Sequence, residues 1–492
     1  MSRAKNSIKN LTSSLGLNII TILASFLATP LILNLLGDVR FGLYRTIFEW
    51  IGFSSILAVS FQSFSSQSLA RKNSVSESLN ELGTYFSFGV RILAFILPIA
   101  ALFIFFAPLI LGASEVSSAE IRWSSAIGCL ALLFIPLLVI QSFLEAQNKS
   151  YLVNMNMALQ RLSVIILSVV GAFIFKNIES QFMALLLGQI LFFILIYFQA
   201  RVTLDLKEFS PKYWKALVPF IKMDAASKIG MSADTIIISL LMGPQDVTKF
   251  FLWVRLPTML MGQVTALGNS VWAGYAQVYN EGGDAKYLFL NLTKAVAILA
   301  SACGGSIVVF NADFLALWLT QSYEANIIFN GIIAFNLYVI SLISFLGWML
   351  TAAHGENEFA KASLLSSFAN IAIGVSATMS FGLIGPIVGS AVGYGVIKMI
   401  WILKAVRQKI NLLWRNLLEV VLLPLVFGIF YFYGIFYLRG VFNIYSLSWV
   451  QLIVFGLTAN LIYLFLCWFI LLRKEERGQW AGRLLKRSRE AL

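Results

Sequence analysis

Residues 84–111 read TYFSFGVRILAFILPIAALFIFFAPLIL, a stretch with one charged residue, Arg91. A helix needs about 20 apolar residues to cross a hydrocarbon core of about 30 Å, so this stretch is long enough to span a bilayer. The same pattern recurs along the chain and predicts about fourteen transmembrane helices. Their predicted ranges are 14–36, 43–66, 84–111, 121–145, 152–175, 181–200, 217–242, 248–273, 291–319, 326–352, 361–381, 387–404, 417–438 and 448–471.

The composition agrees with this pattern. The chain has 492 residues, 59% hydrophobic and 12% charged, with a mean hydropathy of +0.83 and a net charge of +13. These values are typical of polytopic membrane proteins and exclude soluble, fibrous and disordered classes, so the basic excess does not indicate a nucleic-acid partner. The longest polar interruption, 200–217, is too short for a folded domain. The predicted fold class is therefore an all-α integral membrane protein.

Loop charges predict the orientation of the chain. An even number of spans places both termini on one side, and the loops on that side carry about 23 Lys and Arg residues. The other side carries about three, Arg40, Lys176 and Arg439. Because cytoplasmic loops are enriched in Lys and Arg, we expect both termini in the cytoplasm. The basic tail from Arg473 is either a helix on the inner leaflet or an ordinary solvated tail.

An internal repeat with an offset of 206 residues predicts two lobes. Leu35-Leu36-Gly37 matches Leu241-Met242-Gly243, and Glu145–Asn148 matches Thr351–His354. The offset covers six spans, so the two copies share one topology and the pseudo-twofold axis runs along the membrane normal. The predicted domains are an N-lobe of six helices (1–200), a cytoplasmic linker (201–216), a C-lobe of six helices (217–404), two extra helices (405–472) and a basic cytoplasmic tail (473–492).

A further spacing predicts close helix packing. Gly385, Gly389 and Gly393 are four residues apart and make a flat helix face, which favours packing over ligand binding.

Four basic residues are expected deep within the spans. They are Arg91, Arg161, Lys228 and Arg255, each about 10–17 Å from the nearer end of its span. A central charge costs about 3 kcal/mol to insert, so these side chains need a hydrated cavity or charged partners. Their sign predicts an anionic passenger, with these four as candidate ligands of its headgroup.

Structural ion pairs are the alternative explanation for some of these charges. Arg45 and Glu49 are spaced i,i+4 on the second span, as are Asp224 and Lys228 on the seventh, and this spacing brings side chains together on one helix face. Each pair is therefore a candidate for local neutralisation.

Positions on different spans suggest one further ion pair and one shared cavity wall. Asp234 and Arg255 are expected at similar depth on consecutive spans and are a further candidate pair, whereas Arg91 and Arg161 have no acid at i±3 or i±4. Glu49 and Arg255 are separated by the repeat offset, which suggests a shared cavity wall. Glu49 and Asp234 are the candidate residues for ion coupling.

The remaining ionisable residues predict no chemistry. Lys222, Lys294 and Lys398 lie near the cytoplasmic face and Arg122 near the outer one, where long side chains reach the headgroup region. His354 has no second His or Cys nearby. The sequence has no nucleophile elbow, phosphate-binding loop, dinucleotide glycine motif or zinc spacing, so we expect no enzyme activity, cofactor or metal.

The chain resembles a known transporter family in two segments. Residues 18–44, which include Leu36-Gly37 and Phe41-Gly42, are similar to the first span, turn and following Phe-Gly of the Wzx-type polysaccharide flippases in the multidrug/oligosaccharidyl-lipid/polysaccharide (MOP) superfamily. Asp234 followed by an apolar run to Gly243 is similar to the family's seventh span. The chain departs from the family at Phe250-Phe251, where a Tyr is common.

The resemblance implies a two-lobed transporter of the bacterial cytoplasmic (inner) membrane that opens alternately to each side, with spans one, two, seven and eight lining the cavity. Its implied substrate is an undecaprenyl-pyrophosphate-linked repeat unit of O-antigen, capsule or exopolysaccharide. Its implied partners are membrane lipids, a glycan polymerase and a chain-length regulator.

Three other functions remain open. A cation-coupled multidrug exporter of the same superfamily is disfavoured because the first and tenth spans contain no Asp or Glu. A lipid II flippase handles a chemically similar headgroup. A membrane glycan polymerase or ligase commonly has a large outer loop, whereas the predicted outer loops here have about ten residues or fewer.

Overall fold

The computed structural model describes residues 3–70, 74–112, 115–208, 211–281, 284–319, 323–444, 447–474 and 476–478. Within these ranges the chain is almost entirely helical and has no β-strand. This confirms the predicted all-α fold class. The predicted basic tail, 473–492, falls mostly outside the described residues.

The chain forms two compact units, Met1–Lys249 and Phe250–Leu492. The first contains α1 (Arg3–Ser54, kinked at Gly37), α2 (Ile56–Ala70), α3 (Val75–Ile110), α4 (Ser118–Leu130), α5 (Leu138–Ala146), α6 (Ser150–Phe175), α7 (Glu179–Ala200), α8 (Lys212–Leu241) and the start of α9 (Pro244–Trp253). The second contains the rest of α9, then α10 (Arg255–Asn280), α11 (Ala285–Trp318), α12 (Ile327–Ala352), α13 (Glu356–Phe381), α14 (Gly385–Ser390), α15 (Met399–Ile410), α16 (Trp414–Val441) and α17 (Trp449–Ile470). The predicted boundaries of the lobes, linker and extra helices stay predictions.

Ten continuous helical segments in the described part are long and apolar enough to cross a membrane, and two of them join several of the helices above, α4 with α5 and α13 with α14 and α15. They are Ile20–Ser54, Ser76–Ile110, Ser118–Ala146, Ser150–Phe175, Glu179–Ala200, Ala285–Trp318, Ile327–Ala352, Glu356–Ile410, Trp414–Val441 and Trp449–Ile470. The protein is thus a multi-pass membrane protein, and the count of fourteen stays a prediction. The predicted seventh span falls on α8, in which Ser232–Leu241 is a shorter apolar stretch.

Backbone turns recur at the offset of the predicted repeat. Three pairs of positions 206 residues apart have positive φ angles: Gly37 (78°) and Gly243 (117°), Asn148 (57°) and His354 (57°), and Lys176 (51°) and Gly382 (59°). A left-handed residue reverses or bends the chain at a helix end, and glycine adopts it without the steric cost of a Cβ atom. Equivalent points in the two halves of the chain therefore share a positive φ, although ψ differs within the third pair, at 34° for Lys176 and −133° for Gly382.

The Gly37 and Gly243 turns pack together within the first unit. The Thr248 hydroxyl donates a hydrogen bond to the Asp38 carbonyl at 2.7 Å. A Cβ atom on Gly42 would collide with the carbonyl of Pro244, so this glycine permits the close approach of α1 and α9.

The predicted glycine face packs as expected in the second unit. A Cβ atom on Gly389 would lie 2.6 Å from the Asn370 carbonyl oxygen, and one on Gly393 would lie 2.7 Å from the Ser366 carbonyl oxygen. Both carbonyls belong to α13, so these glycines bring two helix backbones into direct contact. The close-packing prediction is confirmed.

Candidate functional site

The candidate site lies within the first unit, where α8 packs against α1 and α2. Asp224, Lys228 and Ser232 follow one another at intervals of four residues on α8 and so occupy one face of that helix. Arg45 and Glu49 occupy one face of the second half of α1 by the same spacing. Helix packing then brings these polar residues together in an otherwise apolar segment.

Glu49 is the centre of this cluster. Its Oε2 accepts a hydrogen bond from the Ser232 hydroxyl at 2.6 Å and lies 3.2 Å from Lys228 Nζ. Its Oε1 lies 3.6 Å from a terminal guanidinium nitrogen of Arg45. We call these four residues, Arg45, Glu49, Lys228 and Ser232, the Glu49 cluster. Two cations and one carboxylate leave it with one excess positive charge.

The Glu49 cluster is partly accessible. The exposed fractions of the side chains are 14% for Glu49, 23% for Arg45 and 33% for Lys228. Gly52, one turn after Glu49, makes room for the lysine, because a Cβ atom there would lie 2.9 Å from Lys228 Cε and Nζ. The guanidinium of Arg45 also lies 5.4 Å from the centre of the Phe48 ring. The two cations are therefore held in place and still reachable by a small anion.

One of the two predicted local pairs is confirmed and the other is wrong. Arg45 and Glu49 form their i,i+4 ion pair. Lys228 bonds Glu49 on α1 instead of Asp224 on its own helix, because packing of α8 against α1 places a second carboxylate within 3.2 Å. Among the described residues, Asp224 Oδ2 is buried without a hydrogen-bond partner.

The structure places Arg161 and Arg91 on different helices of the first unit. Arg161, on α6, donates a hydrogen bond from Nη1 to the Thr21 hydroxyl of α1 at 3.0 Å, and that hydroxyl donates to the Leu17 carbonyl. Arg161 is half-buried, whereas the side chain of Arg91 on α3 is exposed. Thr21 is the neutral partner that sequence spacing did not indicate. The assignment of either arginine to substrate stays a prediction.

Asp234 and Arg255 belong to different units. Asp234 lies half-buried on α8 in the first unit, and Arg255 begins α10 in the second, with its guanidinium carbon 5.6 Å from the centre of the Phe251 ring. Their predicted pairing and their predicted roles in ion coupling and headgroup binding stay predictions.

Two largely buried ion pairs in the second unit were missed by sequence reasoning. Lys294 Nζ lies 2.8 Å from Glu476 Oε1, and both side chains are at most 10% exposed. The prediction that Lys294 reaches the headgroup region is therefore wrong, because it ends in a buried ion pair. Arg439 similarly pairs with Asp313 at 2.8 Å. Both pairs join residues more than 100 positions apart, so local spacing contains no signal for them.

The other interfacial lysines and Arg122 differ in their surroundings. Lys222 and Arg122 are exposed, while Lys398 lies 4.8 Å from the centre of the Phe359 ring. Across the described ranges, no group of three or more His, Cys, Asp or Glu side chains is placed to hold a metal ion.

Comparisons with known proteins agree with this architecture. The family model described as "Polysaccharide biosynthesis protein" matches residues 7–273, more than half of the chain. The chain is 24% identical over 495 residues to the "Uncharacterized membrane protein EpsK" of Bacillus subtilis (strain 168), an alignment that covers 95% of this chain and 96% of that protein.

Solved structures share the fold. A structure of the lipid II flippase MurJ in an inward closed conformation superposes with a TM-score of 0.72 at 15% identity, covering 95% of this chain and 100% of that chain. An inward-facing multidrug resistance transporter of the MATE family, in the MOP superfamily, superposes with a TM-score of 0.59 at 15% identity, covering 82% and 98% of the two chains. At such low identity these likenesses establish the fold alone.

Proposed function

Because this chain belongs to the polysaccharide biosynthesis protein family, as its resemblance to MOP-superfamily flippases indicated, we propose that it flips undecaprenyl-pyrophosphate-linked oligosaccharide repeat units across the bacterial cytoplasmic membrane. The glycan would serve O-antigen, capsule or exopolysaccharide synthesis. The family match and the shared fold support the general assignment of the chain as a flippase-type transporter of the MOP superfamily.

The observation that carries the proposal is the Glu49 cluster. A guanidinium, an ammonium and a hydroxyl converge on one carboxylate inside a membrane-embedded unit. These are the donors that bind phosphate oxygens, the arginine through a planar fork and the lysine as a point charge. Charged groups at such positions are expensive to bury, and they mark substrate pathways when they face a hydrated cavity.

The pyrophosphate headgroup would use Lys228 with Arg45, and Arg91, Arg161 and Arg255 remain candidate ligands along its path. The sugars would enter the hydrated cavity from the cytoplasm while the isoprenoid tail stays in lipid. Alternating access then exposes the headgroup outside. This transport forms and breaks no covalent bond and needs no cofactor, so the protein would not be an enzyme.

The excess positive charge of the Glu49 cluster favours this function over export of cationic drugs. Within the cluster itself a cationic cargo would find no available acid, because Glu49 already lies beside two cations. Lipid II flipping involves the same pyrophosphate chemistry and is tested as a second substrate below. A glycan polymerase and a chain-length regulator would consume the exported repeat unit as partners, and both termini would face the cytoplasm.

A vesicle assay tests the proposal. Purified protein is reconstituted into liposomes containing a polyprenyl-pyrophosphate-linked oligosaccharide with a fluorescent headgroup, and transfer is followed with a membrane-impermeant quencher. Wild-type protein should transfer the labelled lipid and Lys228→Gln should transfer it at least tenfold more slowly, because the pyrophosphate loses a direct charge partner. The matched control is Lys361→Gln, since Lys361 is 65% exposed on α13 and lies outside the cluster.

Lipid II with the same label is assayed in parallel. Faster transfer of lipid II than of the oligosaccharide lipid would identify lipid II as the substrate in place of the proposed one. No transfer of either lipid by stable wild-type protein would refute the flippase proposal.

A further inference from the structure

Glu49 holds both of the cations that the headgroup would need. Its Oε2 lies 3.2 Å from Lys228 Nζ and 2.6 Å from the Ser232 hydroxyl, while Oε1 lies 3.6 Å from Arg45. Lys228 and Ser232 thus donate to one carboxylate oxygen and Arg45 lies beside the other, where phosphate oxygens would meet the same donors.

The charges do not allow both anions to bind well at once. Arg45 and Lys228 supply two positive charges, and Glu49 takes up one of them. A pyrophosphate diester carries about two negative charges, so Arg45 and Lys228 attract it more strongly when Glu49 has moved aside. With Glu49 in place, the phosphate would meet a like charge a few ångströms away in a partly buried site.

We infer that Glu49 is an internal counter-anion that competes with the pyrophosphate for Arg45 and Lys228. This inference rests on the proposed function and assigns Glu49 a positioning role within it. In the substrate-free protein the carboxylate lies beside both cations and offsets part of their charge in the membrane. During transport it lowers the affinity for the headgroup and so speeds release, since transport requires binding that is favourable but weak enough to reverse.

The local packing suits this exchange. Glu49 lies near the end of α1, and the chain continues into α2 after a single break at Ser55. Gly52 leaves space beside Lys228, so the ammonium group can shift between anions without a clash with α1. Ser232 holds the carboxylate by one neutral hydrogen bond, which an entering phosphate oxygen can take over.

The test measures binding of inorganic pyrophosphate to purified full-length protein by titration calorimetry. Glu49→Gln should bind pyrophosphate about tenfold or more tightly than wild type, because it removes a like charge from beside Lys228 and Arg45. Lys228→Gln added to Glu49→Gln should abolish that gain. The matched control is Glu145→Gln, which neutralises a carboxylate of the same unit whose partners, Gln141 and Ser66, are uncharged.

A second variant covers the case in which Glu49→Gln does not fold. Ser232→Ala removes the 2.6 Å hydrogen bond and leaves every charge in place. Without this bond Glu49 is held less firmly beside Lys228. The affinity for pyrophosphate should therefore rise by about two- to threefold, a change that corresponds to one modest hydrogen bond. Unchanged or weaker binding in this variant counts against the inference.

The outcomes separate the inference from the proposed function. Equal or weaker pyrophosphate binding by stable Glu49→Gln, or no binding by any variant, would overturn the inference even if wild type flips the glycan lipid. Tighter binding by Glu49→Gln, together with no flipping by wild type, would keep the inference and refute the function. If both are right, Glu49→Gln flips more slowly at saturating substrate because release is slowed.

Discussion

Lys294→Met should destabilise the protein far more than its predicted place in the headgroup region would suggest. Lys294 Nζ contacts both carboxylate oxygens of Glu476, at 2.8 and 2.9 Å, and the exposed fractions of the two side chains are 6% and 10%. Removing one partner of a buried pair leaves an uncompensated charge and costs about 3–5 kcal/mol. The methionine keeps the apolar volume of the lysine stem, so the change isolates the charge.

The structure favours the lower end of this range. Glu476 lies six residues after the end of α17, so the short segment that carries it can undock and hydrate the carboxylate. Undocking also breaks the bond from the Arg473 amide to Glu476 Oε2, which is 2.8 Å long. We therefore expect a loss of about 3 kcal/mol in the free energy of unfolding.

Denaturant-induced unfolding of the purified protein measures this loss. The control is Arg473→Met, in the same segment, because its ion pair with Glu419 is exposed (68% and 33%) and should contribute under about 1 kcal/mol. Lys294→Met combined with Glu476→Leu should recover most of the loss, since both charges are then removed from the buried site. Equal effects of Lys294→Met and Arg473→Met would refute the burial argument.

The remaining predictions concern packing, orientation and energy. Gly389→Leu should prevent folding or cost several kcal/mol, because its Cβ atom alone would lie 2.6 Å from the Asn370 carbonyl; normal yield and thermal stability would contradict this. Reporter fusions after Lys149 should be cytoplasmic and those near Ser117 external, and the reverse pattern would remove the proposed direction of transport. Moving about two negative charges outward across an inside-negative potential is favoured by about 2.3 kcal/mol per charge per 100 mV, so collapsing the potential should slow flipping more than Asp234→Asn does. An equal or larger effect of Asp234→Asn in a stable protein would indicate ion coupling through that carboxylate.

Features that depend on neighbouring residues were predicted from the sequence. Hydrophobic runs longer than 18 residues indicate membrane helices whatever their partners are, because each helix satisfies its own backbone hydrogen bonds. The Arg45–Glu49 pair and the Gly389 and Gly393 contacts depend on helical spacing, which places residues four apart on one face. The Gly37 turn was located for the same reason, as a break between two apolar runs.

Only the tertiary structure decided which charges meet across helices. Lys228 and Glu49 are 179 residues apart, and Lys294 and Glu476 are 182 apart. Local spacing favoured Asp224 as the partner of Lys228, yet the packing of α8 against α1 supplied Glu49. The amino-acid sequence by itself determined the membrane class and the all-α fold, because these follow from local hydrophobicity and helical geometry. Helix packing determined the composition of the candidate site, because an ion pair between helices depends on which faces come into contact, and the period of a single helix does not contain that information.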